Sequence, residues 1–524
     1  MQQAQSGMVP PENKAANPVL SAVSVLVLLS VLGVVLFVAL RSPLKDDIAW
    51  LLYVARRWMA GKVLYTDLIE VNPPLIIWIS AIPIALADWL RVDAQFVAIP
   101  FFIAAILTCN WWTTTLLRPY GGLFANRLPV FTLIATVFLV VPAGDLGQRE
   151  HLLVAATLPY LVLFARRLDG HRLSIATTLA AGILAGLGCA LKPRYGAAFA
   201  VLECVALANG LRPWRLLPIA AVTTMIGYAA LVAVVCPAYL RQAIPMALAL
   251  YGATDVTLPH LLSDCAALIA ETTVACVLLW LRRRDMAEYK LMLTLMLFAA
   301  TSTVVCLVTG KDWFYHRLPA TIVTFLALIL WAVSEAIRQR RTIRLPLLVA
   351  TAAIAVFCVR SVQRMDPAVQ EALTPRHTID ARLERLIRLE HAHTYVAFSE
   401  WLALGFPVVN ETGVRWASRF DSMWALKGEV WRAGFDPTAT RDWPIARWIA
   451  NDFIAGCPDI AVVDTRETIN YIKVLSRSDP AFTRLWSHYH PITAFGGLIV
   501  YHRDKHACRK VTIATASPGI KHLR

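Results

Sequence analysis

Long apolar runs recur along most of the chain, at residues 19–40, 74–90, 97–117, 128–144, 151–166, 174–191, 196–209, 214–235, 259–281, 291–309, 318–337 and 345–359. A helix needs about 20 predominantly apolar residues to cross a bilayer, so the pattern predicts a bundle of membrane helices. The first run follows a polar, cation-poor leader (1–18) and is longer than the ~7–15-residue core of a secretory signal, which predicts a retained anchor. Basic clusters at 166–172, 211–215, 282–284 and 338–344 fall at every second turn, and the positive-inside tendency puts all four on the cytoplasmic side. The turns between them, Gly144–His151, Lys192–Tyr195 and Gly310–Arg317, then face outward, as do residues 42–73 and everything after 363. Three full crossings between 74 and 144 would break that alternation. One of those three runs is therefore expected not to cross, which gives about eleven crossings within a membrane domain spanning 19–362, N-terminus inside and C-terminus outside.

From about 375 the pattern changes: charged residues rise, and short strand-like runs at 393–398, 407–410, 459–464 and 498–502 alternate with helical patterns at 379–390 and 443–455. This predicts a small external α/β domain within 363–524, ending in a basic tail from Arg503. Composition sharpens the class. With 58% of residues hydrophobic, 16% charged and a mean hydropathy of +0.57, the chain is neither an ordinary soluble enzyme nor a disordered one. The net charge of +15 would suggest nucleic acid in a soluble protein. Here the basic residues sit between apolar runs, so the expected contact is membrane lipid and no nucleic acid. Eight of the ten Cys fall in or beside apolar segments, as small hydrophobes do. Only Cys457 and Cys508 stand in polar sequence, and a disulfide between them is left open.

The ionisable residues gather in the outward turns. The first contains Asp46-Asp47, then Gly61-Lys62-Val63-Leu64-Tyr65-Thr66-Asp67, then Glu70-Val71-Asn72-Pro73-Pro74 opening the next apolar run. An acidic pair after the first span, a Gly-x-x-x-Tyr-x-Asp stretch and a Pro-Pro entry to the next helix resemble the GT-C superfamily of polytopic glycosyltransferases. Within it, the similarity runs to the protein O-mannosyltransferases and the bacterial aminoarabinose and arabinofuranosyl transferases. Asp145-Leu146-Gly147-Gln148-Arg149-Glu150-His151 stands where that family has a second acidic loop, and Gly186 to Arg194 resembles its Gly-rich span ending in a Lys-Gly-Pro motif. Two residues depart from the pattern: Asp47 replaces the usual Glu, and Pro193-Arg194 replaces Gly-Pro.

The resemblance implies a GT-C fold, an α-helical polytopic membrane protein with juxtamembrane helices; the short leader and external loops without eukaryotic features point to a bacterial inner membrane. The resemblance also implies inverting transfer of a sugar from a polyprenyl-phosphate donor to a periplasmic glycan, lipid or protein. The phosphate leaving group needs fixed positive charge rather than a strong acid, which Lys192, Arg194, Lys311, His316 and Arg317 could supply. The acceptor must lose a proton. Asp46 is the first candidate for general base, with Asp47 beside it, and Tyr65, Asp67, Glu70, Asn72, Asp145, Arg149 and Glu150 are expected to hold substrate. Asp46, Asp145 and Glu150 are hard oxygen ligands suited to Mg²⁺, Mn²⁺ or Ca²⁺, although nothing in the sequence requires a cofactor. Plainer readings stand beside these. Asp46-Asp47 could cap a helix, Asp67 and Asn72 could only shape a turn, and Arg149 with Glu150 could be an internal ion pair. Lys192 and Arg194 could be interfacial cations. The rival from another class is a lipid-linked sugar flippase or transporter, which would place its ionisable residues at mid-membrane.

Overall fold

The computed structural model describes residues 18–284, 286, 288–338, 345–374, 377–434, 443–505 and 507–508. The leader, most of the 338–344 basic cluster and the tail beyond 508 lie outside the described residues. The membrane domain comprises α1 (Pro18–Arg41), α2 (Asp46–Met59), α3 (Pro74–Leu90), α4 (Ala94–Leu117), α5 (Arg127–Val140), α6 (Arg149–Leu168) and α7 (Ile175–Leu191). It continues through α8 (Gly196–Ala208), α9 (Leu216–Val235), the short α10 (Ile244–Leu250), α11 (Leu258–Arg282), α12 (Tyr289–Val308), α13 (Leu318–Arg338) and α14 (Leu345–Leu373). α6 and α13 are buried along most of their length, whereas α1, α9 and α14 turn most of their apolar surface outward.

Side-chain contacts between helix ends show which ends share a face. Tyr120, just after α4, meets Asp169, just after α6, at 3.2 Å. Lys290 donates to Asn209 and Arg282 to Glu335, so the ends of α8, α11 and α13 and the start of α12 lie together. On the opposite face, Gln95 at the start of α4 donates to the carbonyls of Ala39 and Ser42 at the end of α1. The α3 helix does not pass between the faces: its C-terminal Asp88 pairs with Arg56 of α2 at 2.7 Å. Residues 74–90 are as apolar as a span but lie along α2 as a second juxtamembrane helix. Among the described residues eight helices, α1, α4, α6, α9 and α11–α14, are long and apolar enough to cross a bilayer, and the shorter α5, α7 and α8 run beside them.

Glycines set one helix crossing. On α7, a Cβ at Gly182 would come within 2.6 Å of the Ala220 Cβ, and one at Gly186 within 2.6 Å of the Ala221 carbonyl oxygen. The backbones of α7 and α9 therefore approach as only small residues permit. Mid-helix Glu271 of α11 pairs with Arg360 of α14 at 2.6 Å, tying the peripheral α14 to the bundle.

Residues 377–508 form the α/β domain: α15 (Ile379–Leu389), β1 (Thr394–Phe398), α16 (Val408–Thr412), β2 (Arg415–Trp416), α17 (Trp424–Ala433) and α18 (Ile445–Gly456), then β3 (Ile460–Asp464), α19 (Tyr471–Ser478), α20 (Pro480–Trp486), β4 (Tyr489–Phe495) and β5 (Leu498–Arg503). The sheet order is β2-β1-β3-β5-β4, with β1 parallel to both neighbours and β5 antiparallel to β3 and β4. Three of the expected strands are present. The run at 407–410 is instead helical, a short turn closed by Gly413 at φ +71°. Cys457 and Cys508 form a disulfide. The domain is stitched to the first loop: the Ile69 amide donates to the Arg419 carbonyl, Asn410 donates to the Ala49 carbonyl, and Trp50 packs edge-on against Phe406 at 5.0 Å.

Candidate active site

Asp46 and Asp47 occupy the first turn of α2, where the helix dipole favours carboxylates. They diverge from there. The Asp47 amide donates to the Asp46 carboxylate at 2.8 Å, and Lys45 lies 3.5 Å from that same carboxylate. Asp47 instead accepts from Arg149 Nη2 at 3.3 Å. Burial is the largest influence on Asp46 and pushes its carboxyl above the usual range; the Lys45 ammonium opposes this and the Asp47 charge adds to it.

Behind Asp47 lies a buried stack of charge. Glu150 has no exposed surface, accepts from Lys192 Nζ at 3.2 Å and meets His316 Nδ1 at 2.9 Å. Arg149 Nε is 4.0 Å from the second Glu150 oxygen. Tyr195 donates to the His316 carbonyl at 2.8 Å, which fixes the turn carrying that histidine. Lys192 therefore offsets the Glu150 charge while His316 hydrogen-bonds the same oxygen, and Arg149 bridges from Glu150 to Asp47. A buried carboxylate in this setting requires such partners.

Above this stack is a cavity of about 530 Å³. Its carboxyls, Asp46, Asp47, Asp145, Asp255, Asp312, Glu400 and Asp421, outnumber its cations, Lys45 and Lys427. Its apolar lining is mainly aromatic, formed by Tyr251, Trp313, Phe314, Tyr315, Trp401 and Trp424. Asp145 is buried with one oxygen unpartnered, and burial together with Asp46 and Asp47 moves its carboxyl up to about 7. A second cavity of about 520 Å³, more apolar, runs between α1 and α14 and shares Lys45, Asp46 and Trp401 with the first. Arg364 also lines it, stacked 3.7 Å over the Phe314 ring.

The other expected site residues divide into groups. Glu70 is buried and accepts from Trp50 Nε1 at 2.5 Å and from the Asn72 amide at 2.7 Å, while Tyr65, at φ +65°, donates to the Asn72 carbonyl. These three brace the loop and do not line the cavity. Asp67 accepts from the Val63 amide at 3.1 Å and lines a separate shallow groove beside Arg419. Arg194 donates to Thr309, Lys311 pairs with Asp255 at 2.5 Å, and Arg317 donates to the Asp264 and Asp312 carbonyls. The five expected phosphate-binding cations thus already hold protein partners. Among the described residues, ligand atoms converge within 4.8 Å at His260, Asp264 and Asp312 rather than at Asp46, Asp145 and Glu150. Sequence reasoning missed Lys45, Arg364 and the wall contributed by the α/β domain. Ser399-Glu400-Trp401, directly after a predicted strand, was the available signal, because ligands favour the carboxyl ends of parallel strands.

Fold and site together define a polytopic helical membrane protein whose carboxylate-lined cavity lies between the start of α2, the turns around Tyr251 and Trp313, and a capping α/β domain. No protein-family model matches the chain, and no curated protein sequence matches it. Among solved structures, the crystal structure of ArnT from Cupriavidus metallidurans bound to undecaprenyl phosphate matches over 94% of this chain and 98% of that one, with a TM-score of 0.53 and 11% identity. The likeness is one of fold.

Proposed function

We propose that the protein is an inverting membrane glycosyltransferase that moves a sugar from a polyprenyl-phosphate donor to a periplasmic acceptor. The observation that carries this reading is Asp46: a carboxyl with raised proton affinity, facing a polar cavity on one side and an apolar groove on the other. The groove suits the isoprenoid chain, with Lys45 and Arg364 near the phosphate. The polar cavity suits the acceptor. Asp46 takes the acceptor's proton as its oxygen bonds to C1 of the sugar, and the bond from C1 to the phosphate oxygen breaks, releasing polyprenyl phosphate. Asp145 orients the acceptor, and Asp47, held by Arg149, completes the wall. The undecaprenyl phosphate bound by the ArnT neighbour is consistent with such a donor.

Two features support the proposed orientation, with the cavity on the outer face of a bacterial inner membrane. The described basic turns at 166–172, 211–215 and 282–284 cluster on the face opposite the cavity, as expected of the cytoplasmic side. The Cys457–Cys508 disulfide fits an oxidising compartment for the α/β domain. The test is sugar release from a panel of radiolabelled polyprenyl-phosphate sugars by protein in nanodiscs, wild type beside Asp46→Asn. Turnover of one donor, lost in the variant, supports the reading. No turnover, with lipid crossing proteoliposome bilayers, would overturn it in favour of a flippase.

A further inference from the structure

We infer that the acceptor is an uncharged carbohydrate, held against Trp401 and Glu400 at the carboxyl ends of β1 and β3. This rests on the transferase reading and narrows its acceptor to one chemical class.

Four observations converge. First, Trp401 is 42% exposed even though its position is tightly fixed. Its amide donates to Ser399 Oγ at 3.0 Å, Ser399 donates to Asp464 at 2.9 Å, and the Arg466 guanidinium lies 4.9 Å from the ring centroid. Arg466 is itself clamped by Asp464 through Nε at 2.8 Å and Nη2 at 2.6 Å. One face of the ring is thus backed by a fixed cation while the residue still lines the cavity, a platform ordered before any ligand arrives. Second, polar groups that recognise hydroxyls stand beside this platform. Glu400 and Lys427 pair at 2.5 Å, and Trp424 Nε1 donates to Asp421 at 2.9 Å. An indole face meeting the C–H face of a pyranose or furanose, with carboxylates accepting hydrogen bonds from its hydroxyls, is the elementary chemistry of sugar binding.

Third, the charges argue for a neutral ligand. On this wall each cation is already matched: Lys427 by Glu400 and Arg466 by Asp464. Around the cavity Asp47, Asp255 and Glu400 are likewise taken up by Arg149, Lys311 and Lys427, so an anionic acceptor finds no cation on this wall to answer its charge. Fourth, the lining lacks an aliphatic stripe. Ala253, Val256 and Leu402 are its only aliphatic residues, so an acyl chain finds less to contact here than in the neighbouring groove. The wall also sits where parallel strands present their ligands. A Ser/Thr peptide or a lipid acceptor is therefore the alternative for the test to exclude.

The experiment is saturation-transfer NMR on the full chain in nanodiscs with no donor present, so that its outcome is independent of donor turnover. The probes are short neutral arabino-, manno-, gluco- and galacto-oligosaccharides, a Ser/Thr-rich peptide and a glycerophospholipid. At least one oligosaccharide is expected to bind, with dissociation constants raised about tenfold in Trp401→Ala and less in Trp401→Phe. Trp214→Ala, on the opposite face, serves as the control and should bind like wild type. If Trp401→Ala fails to fold, Glu400→Gln carries the test, with the same direction expected. Binding of only the peptide or phospholipid, or oligosaccharide binding untouched by every one of these wall variants, overturns the inference. Donor turnover measured in parallel shows separately whether the transferase reading stands.

Discussion

Two adjacent aspartates should fail in opposite ways. Asp47 lies 3.3 Å from Arg149, whose side chain is only 2% exposed. Coulomb's law at that distance, with an effective dielectric of about 20, gives about 5 kcal/mol of gross attraction. Removing one partner of a buried pair costs about 3–5 kcal/mol. Because Glu150, 4.0 Å from Arg149, still neutralises part of the charge, Asp47→Asn should cost about 3 kcal/mol. Asp46 has the reverse profile. Burial disfavours its ionised form, so Asp46→Asn should leave stability unchanged or slightly improved. Its loss as a base should lower turnover by roughly 10²–10⁴-fold, about 2.7–5.4 kcal/mol of barrier. Thermal unfolding in nanodiscs together with donor turnover separates the two variants. The reasoning is refuted if Asp46→Asn keeps turnover within tenfold of wild type, or if Asp47→Asn unfolds at the wild-type temperature.

Further expectations follow from single contacts. Asp145, moved up to about 7, holds its proton more tightly folded than unfolded, so its contribution to stability falls as pH rises from about 4 to about 7. The unfolding temperature of Asp145→Asn relative to wild type should therefore climb across that window and level off above it; a flat difference would contradict the assignment. Glu271→Leu strips Arg360 of its partner within the helix bundle and should cost about 2.5–3.5 kcal/mol, the insertion cost of an unpaired arginine. Glu271→Leu with Arg360→Leu should recover most of it, as read by detergent-resistant folded fraction. Gly186→Val should prevent α7 and α9 from approaching and abolish folded yield, whereas Gly196→Val, which meets nothing within 4 Å, should not. Gly428→Ala should push α17 off Leu250, whose Cβ would lie 2.6 Å from the new methyl. Overpacking of this kind costs about 1–3 kcal/mol, and donor turnover should fall as the cavity wall shifts.

The spans were legible because apolar length is a local property of the chain. The lie of α3 was not: residues 74–90 are apolar up to Asp88, and their packing along α2, marked by the Arg56–Asp88 contact, joins residues far apart in sequence. Asp46 and Asp145 were legible as clustered charge in outward turns. Lys192 and His316 were found too, but their work for Glu150 depends on three separate helices meeting, which spacing does not encode. The Trp401 wall, contributed by the other domain, left no mark on the motif. Strand β4 escaped because Pro491 interrupts its pattern, a residue an edge strand with a bulge tolerates.

The pairing of Ile69 with Phe420 also has a consequence in time. The first loop emerges early in synthesis, but the segment that completes its backbone pairing follows roughly 350 residues later, about 20–70 s at roughly 5–20 residues per second. Throughout that interval Asp46 and Asp47 stand in a membrane protein whose cavity lacks a wall. A half-made chain therefore lacks the wall that closes the Asp46 cavity, and a chain truncated before residue 420 would never acquire the pairing that seats it.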